Sequence, residues 1–382
     1  MDRALSLYFV AGEASGDNHG AALMQELRRL QPGVRLLGRG GPRMREVAGE
    51  RFLDWSDEAG VVGLWEVIKH YGYFREEFRR TINEIAATRP DAVILIDYPG
   101  FNLRLARALR AQSLGGKIIY YISPQVWAWN RGRIPKMARW LDLMLCIFPF
   151  EAELYEQSGL RTIFVGHPMI ENLRAKRIDV LRLPHLVGLF PGSRAREVRK
   201  LLPILIEVMR ALHRQRPGLH FEIAAASEAL AEVIRHDLAP VLNSLGQVEV
   251  VVGQAAQTMQ RSTAGVVASG TATLEAAFFG LPFVLVYKVA AMTYLAGRML
   301  IRVKYLGMPN VLADREIVPE FIQGDAQPAA IAGAVLRLLD ERDRRKEMLA
   351  AFEKVIARLG QGGANETAAR AILEAVAAVA VT

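Results

Sequence analysis

The chain has 382 residues, 51% of them hydrophobic and 23% charged, with a formal charge of +8 and a single cysteine, Cys146. This composition excludes a disordered chain and a disulfide-stapled scaffold, and the length exceeds what one compact core accommodates. No uninterrupted apolar run is long enough to span a bilayer, and no nucleic-acid-binding signature accompanies the positive charge. An anionic leaflet or phosphorylated substrates are left as its use.

The N-terminus leads directly into a strand-like run over 5–11 with no secretory signal, so a reducing cytoplasmic setting is expected. The run stops at Gly12-Glu-Ala-Ser-Gly-Asp17, a small-residue turn before a helix predicted over about 18–30. The turn lacks the dinucleotide-binding and Walker A spacings, and Glu13 and Asp17 place negative charge where a phosphate would sit. Glu13, Ser15 and Asp17 are therefore candidates for sugar hydroxyls, with a helix cap by Ser15 or Asp17 as the plain alternative. A short strand is predicted over 34–38. Continuous apolar runs over 92–97, 117–122 and 144–148, and a shorter one over 162–165, read as buried parallel strands. Asp97 ends the first of these at the edge where open α/β sheets bind ligands. Partial desolvation there suits a carboxylate to general-base work, although Asp before Tyr98-Pro99-Gly100 is also good turn chemistry. The next strand is followed by Ser-Pro-Gln-Val-Trp-Ala-Trp-Asn (123–130), where Gln125, Trp127 and Asn130 suit a sugar ring or acyl chain; Arg131, Arg133, Lys136 and Arg139 add positive charge nearby.

The polar stretch 172–184 reads as a connection to a second domain. There, a strand over 186–190 runs into Pro191-Gly-Ser-Arg194, whose Gly192 and Ser193 offer backbone N–H and hydroxyl groups to a phosphate. Arg194 can bind that phosphate bidentately, or pair with Glu197. A helix over about 197–215 and strands over 220–225, 248–252, 265–268 and 283–287 follow. Ser269-Gly-Thr-Ala-Thr-Leu-Glu275 again joins a strand to a helix: Ser269, Gly270, Thr271 and Thr273 could hold a pyrophosphate and Glu275 ribose hydroxyls, though a simple capping box has similar residues. From about 328 the tail is helical, with a Gly-rich break at 360–363. No His/Cys cluster has metal-ligand spacing and no G-x-S-x-G elbow is present, so no metal or other cofactor is expected. The fold class is α/β, two Rossmann-like domains facing a central cleft.

In order and spacing, the segments 12–17, 123–130, 191–194 and 269–275 resemble the lipid-A-disaccharide synthase family, with Phe190 departing from the usual Leu before Pro-Gly-Ser-Arg. The resemblance implies the GT-B glycosyltransferase architecture, with an acceptor and lipid domain over 1–170 and a UDP-sugar domain over 171–364. A C-terminal helix over about 365–382 would pack back on the first domain or on a partner, leaving a homodimer open. It implies metal-independent, inverting transfer from UDP-2,3-diacylglucosamine to 2,3-diacylglucosamine 1-phosphate, giving a β-1,6 disaccharide and UDP in lipopolysaccharide biosynthesis. It further implies a peripheral place on the inner face of a Gram-negative inner membrane. Asp97 matches the family's proposed base, Arg194 its phosphate-binding arginine, and Asn310 a polar position near the nucleotide. The Met- and Leu-rich segment 280–303 and the apolar 61–68 gain a use against acyl chains. Two other readings stay open at this level: another UDP-N-acetylglucosamine-using GT-B enzyme of the 2-epimerase type, and a non-catalytic nucleotide-binding module at a membrane.

Overall fold

The computed structural model describes residues 4–50, 52–55, 71–289 and 304–377. The expectations for 61–68 and for 290–303 lie outside the described residues. The chain forms two compact units, one of residues up to Pro168 together with those from Leu359 onward, the other of Met169–Arg358. The two are taken in turn.

The first unit is built on seven parallel strands: β1 (Ser6–Val10), β2 (Arg35–Gly40), β3 (Leu53–Asp54), β4 (Ala92–Ile96), β5 (Lys117–Tyr121), β6 (Leu143–Cys146) and β7 (Thr162–Phe164). They lie in the order β3-β2-β1-β4-β5-β6-β7. The strands β1, Ser-Leu-Tyr-Phe-Val, and β4, Ala-Val-Ile-Leu-Ile, are buried along their whole length, as strands covered on both faces must be. Chain order reverses between β1 and β4, so the carboxyl ends of these two neighbours define the crevice where such sheets bind ligands. The helix expected from about residue 18 begins earlier, at Ala14, directly after Glu13. The last helix, Ala364–Ala377, packs against the helix Ala14–Leu30; Glu366 meets Arg29 at 3.1 Å, and Asn365 accepts from the Tyr121 hydroxyl at 3.0 Å. Cys146 is fully buried, and burial raises its thiol pKa, as a small hydrophobe in a core should show.

The second unit repeats the plan with six parallel strands: β8 (Leu183–Phe190), β9 (His220–Ala225), β10 (Gln247–Val252), β11 (Ser262–Ala268), β12 (Phe283–Tyr287) and β13 (Glu320–Ile322). Their order is β10-β9-β8-β11-β12-β13, so the crevice here lies between the carboxyl ends of β8 and β11. The helix Ala195–Gln215 buries Val198, Leu201, Leu202, Leu205, Val208, Met209 and Leu212, the three- and four-residue spacing of one helical face, and packs against the helix Pro328–Asp340. Arg182 holds the entry to this unit: its guanidinium donates to the carbonyls of Met259 at 2.9 Å, Phe279 at 2.7 Å and Gly280 at 2.8 Å, and to that of Ser262. Among the described residues no helix is long and apolar enough to cross a membrane.

Candidate functional site

In the first unit, Asp97 follows β4 directly and stands half-buried in the crevice beside the end of β1. Asp97 and Tyr98 both take the left-handed region, with φ of 45° and 51°. Two successive residues without glycine in that region store strain of roughly 1–3 kcal/mol each, which persists only where the surroundings fix them. Those surroundings are dense. The Asp97 N–H donates to Tyr121 O at 3.0 Å, and the Asp97 carbonyl accepts from the Tyr120 hydroxyl at 2.5 Å and from Asn102 Nδ2 at 2.7 Å. With its backbone so pinned, the Asp97 carboxylate is left as the variable part of the turn. Burial raises its pKa, the negative charge of Glu13 raises it further, and a backbone hydrogen bond at Tyr98 opposes them. Glu13 and Asp97, predicted separately, are thus brought together.

The glycine of the first turn has a different purpose from the one its motif suggests. A Cβ on Gly12 would fall 2.4 Å from Cδ1 of Tyr98, so the space that glycine frees is filled by the Tyr98 ring and not by a ligand. That ring stacks on Phe101 and meets the edge of Trp55. Trp55 in turn donates its indole N–H to Ala11 O at 2.6 Å and lies beneath the guanidinium of the buried Arg39. Arg39 reaches Glu77 at 2.6 Å and Glu84 at 2.7 Å, binding the helix Tyr71–Thr88 to β2. Tyr98, Trp55 and Asn102 were not singled out from the sequence. The available signal was Tyr98 before Pro99, a position barred from the right-handed helical region.

Three predicted residues of this unit are placed differently. Asp17 is buried, and its carboxylate accepts from the N–H groups of Gly41, Arg43 and Met44 at 2.9–3.1 Å. It caps the helix Pro42–Ala48 instead of facing a sugar. Neither Ser15 nor Asp17 caps its own helix, because Glu13 occupies the N-cap position; Ser15 is exposed in the first turn. Trp127 is core: its indole donates to Glu151 Oε1 at 2.9 Å and its ring meets Phe150 edge-on. The exposed aromatic of that loop is Trp129. Gln125 is exposed and Asn130 half-buried beside it. Glu151 is itself fully buried, and desolvation raises its pKa to about 7 against the donors that surround it.

In the second unit the two predicted turns come to adjacent strand ends, since β8 and β11 are paired in parallel with Phe190 opposite Val267. Gly192 has φ of 108°, and a Cβ there would lie 2.6 Å from Glu197 Oε2, so this glycine answers both a backbone and a space requirement. Ser193 and Arg194 are exposed. Arg194 stands at the N-cap of the 21-residue helix Ala195–Gln215 without a side-chain cap, leaving the helix terminus free to meet an anion. Its pairing with Glu197 is present but long, at 3.5 Å, with 69% of the Arg194 side chain accessible; such a pair holds the guanidinium weakly. Ser269, Gly270 and Thr271 lead into the helix Ala272–Phe278, which also has no side-chain cap. Glu275 is half-buried, with a pKa raised by burial and opposed by Lys176.

Two predicted contacts of this unit are committed elsewhere. Thr273 is buried and donates its hydroxyl to Gly270 O at 2.8 Å. Asn310 is buried and uses its whole amide on its own loop and strand: Nδ2 donates to Val318 O and Glu320 Oε1, and Oδ1 accepts from the N–H groups of Ile317 and Val318, all at 2.7–2.9 Å.

A family model described as lipid-A-disaccharide synthetase matches residues 7–375. This chain belongs to that family. Lipid-A-disaccharide synthase of Geobacter sulfurreducens is 41% identical over 377 residues, covering 96% of each chain, and that of Nitrosococcus oceani is 39% identical over 362 residues, covering 92% of each. The family is one of glycosyltransferases, so the chain is an enzyme of lipid A biosynthesis, and the epimerase and non-catalytic readings give way. Among solved structures it is similar to a UDP-GlcNAc 2-epimerase from Neisseria meningitidis bound to UDP-GlcNAc, with a TM-score of 0.63 at 12% identity over 97% of this chain and 100% of that one. It is similar also to the calicheamicin glycosyltransferase, with a TM-score of 0.58 at 15% identity over 98% and 99%. At such identities the likeness is one of fold, and it is the GT-B fold of two parallel-sheet α/β domains.

Proposed function

We propose that this lipid-A-disaccharide synthase family member transfers the sugar of UDP-2,3-diacylglucosamine to the 6-hydroxyl of 2,3-diacylglucosamine 1-phosphate, with Asp97 as the base. The reading rests chiefly on one observation: a carboxylate of raised pKa held by a strained, fully braced turn at the switch point of the first sheet. In the reaction, Asp97 takes the proton of the acceptor 6-hydroxyl as that oxygen bonds to C1 of the donor. The C1–phosphate bond breaks with its electron pair leaving on UDP, and C1 inverts to the β configuration. Burial, and after it the charge of Glu13, hold the proton affinity of Asp97 above that of an ordinary carboxylate, which strengthens it as a base. Ser15, Gln125 and Asn130 supply further polar contacts to the acceptor.

The second unit supports the departing charge. Arg194 offers a guanidinium that, among the described residues, one weak pair restrains, and the backbone at Gly192, Ser193, Ser269, Gly270 and Thr271 stands at two uncapped helix N-termini. Glu275 is assigned to the ribose hydroxyls. With these groups meeting the diphosphate, the proposed transfer requires no divalent metal. Substrates with two acyl chains each, and a chain of charge +8, favour work at an anionic leaflet.

The decisive experiment replaces Asp97 by Asn and Ala. Turnover should fall about 10²–10⁴-fold, the usual contribution of a positioned base, with UDP affinity by calorimetry unchanged. Near-normal turnover in either variant refutes the assignment. The pH profile gives a second check. Because Asp97 must be ionised and Glu13 raises its pKa, activity should rise with pH through a value above the usual carboxylate range. Glu13→Gln should move that limb to lower pH.

A further inference from the structure

The loop after β5 carries a feature that the reaction as described leaves unused. From Ser123 to Trp140 the sequence contains four cations, Arg131, Arg133, Lys136 and Arg139, and no carboxylate. Among the described residues none of the four forms an ion pair. The nearest carboxylate along the chain, Asp142, is held by Arg110 at 2.6 Å and Lys117 at 4.0 Å. The carboxylate beneath the loop, Glu151, is buried on the Trp127 indole and the Phe148 N–H.

The segment is anchored. Tyr155 donates to Pro124 O at 2.9 Å, Glu151 holds Trp127, and Arg131 donates its Nε to Trp127 O at 3.1 Å. With Nε engaged, the two terminal nitrogens of Arg131 remain as a fixed pair of donors, the geometry that suits a phosphate. Arg133 lies over the ring of Trp129 at 4.8 Å, and Trp129 stays 39% exposed, a flat surface of the kind a sugar face packs against. The segment and Asp97 leave the sheet at adjacent strand ends, because β5 pairs in parallel with β4 and Tyr121 lies opposite Ile96.

We infer that Arg131 and Arg133, supported by Lys136 and Trp129, form the site for the phosphomonoester on C1 of the acceptor. The inference rests on the acceptor assignment above and deepens it. An anionic leaflet would also attract these cations, but general attraction needs no guanidinium tethered to the loop backbone and braced by a buried carboxylate. Bidentate recognition of one phosphate does.

The test compares 2,3-diacylglucosamine 1-phosphate with the same acceptor lacking its phosphate. The parent enzyme should prefer the phosphorylated acceptor by at least about tenfold in kcat/KM, as one charge-assisted contact provides. In the Arg131→Gln/Arg133→Gln double variant that preference should largely vanish, through a rise in acceptor KM with donor KM and melting temperature retained. Arg131→Lys should restore part of it. A double variant that keeps the preference overturns the site. So does one that keeps it while losing sedimentation with phosphatidylglycerol vesicles, which would assign the cations to the leaflet. If the parent makes no disaccharide from either acceptor, the functional reading falls, and the site with it.

Discussion

Asp97 depends on neighbours whose own side chains do no chemistry. Tyr98 holds the left-handed turn by filling the space over Gly12, and Trp55 and Phe101 close the other sides of its ring. Gly12→Ala would drive a methyl into that ring at 2.4 Å, while the Tyr98 carbonyl is held by the N–H groups of Phe101 and Asn102 and the preceding Asp97 N–H by Tyr121 O. Overpacking of this kind costs about 1–3 kcal/mol, so the variant should melt earlier. Its turnover should fall more than its UDP affinity, since the displaced residue adjoins the base; equal losses in both would detach Gly12 from Asp97. Arg194 shows the opposite balance. It is exposed and weakly paired, so Arg194→Ala should leave stability within about 0.5 kcal/mol of the parent. The same change should reduce kcat/KM about 10²–10³-fold if the guanidinium meets the leaving diphosphate. Thermal melts and steady-state kinetics on one preparation measure both.

At the scale of elements, the predicted contacts that the fold holds in other company share a physical reason. Asp17, Trp127 and Asn310 have the chemistry of ligand contacts, and each is claimed by a partner that only tertiary structure supplies: the N-terminus of the helix Pro42–Ala48, Glu151, and the stretch 317–320. The strands were legible because parallel strands buried on both faces are unbroken apolar runs, and 220–225 and 283–287 stand as predicted. The edge strands β3 and β13, of two and three residues, are too short to carry a period. The first helix starts ahead of the expected residue 18 because Gly12-Glu-Ala-Ser-Gly16 has the composition of a turn, while its last residues are already helical. Asp97 was legible as a strand-end carboxylate, whereas its bracing by Asn102 was not, since an Asn five residues on in a helix looks like any other. Asn310 gives the element-scale prediction. Asn310→Ala would strip partners from the buried N–H groups of Ile317 and Val318, at about 1–3 kcal/mol for each group left unpaired. A melting temperature that barely moves would show that solvent reaches this loop and that its asparagine is free for another role.

For the molecule as a whole, two buried groups of the first unit set opposing pH dependences of stability. Glu151 has its pKa raised by burial to about 7, from an ordinary 4.5. As pH rises above 4.5 the unfolded chain releases this proton while the folded one retains it, so stability from this group is lost between about 4.5 and 7. His167, buried against Phe148 and near His19, is lowered by burial and by that second histidine to about 4, from 6.5. As pH falls below 6.5 the unfolded chain takes up a proton that the folded one refuses, so stability from this group is lost toward 4. His19, lowered by burial alone, acts in the same direction as His167. Between pH 4.5 and 6.5 the carboxyl and the imidazoles therefore work against each other, and the parent should show a shallow dependence there. Glu151→Gln removes one side of the opposition. Its amide must also turn one N–H toward either Trp127 or Phe148, which lowers stability by an amount independent of pH. The informative quantity is thus the slope. Melting temperature by calorimetry should rise more steeply with pH from 4.5 to 6.5 in the variant than in the parent. Parallel slopes would mean that Glu151 is already ionised in the folded chain at acid pH, and that its donors outweigh its burial.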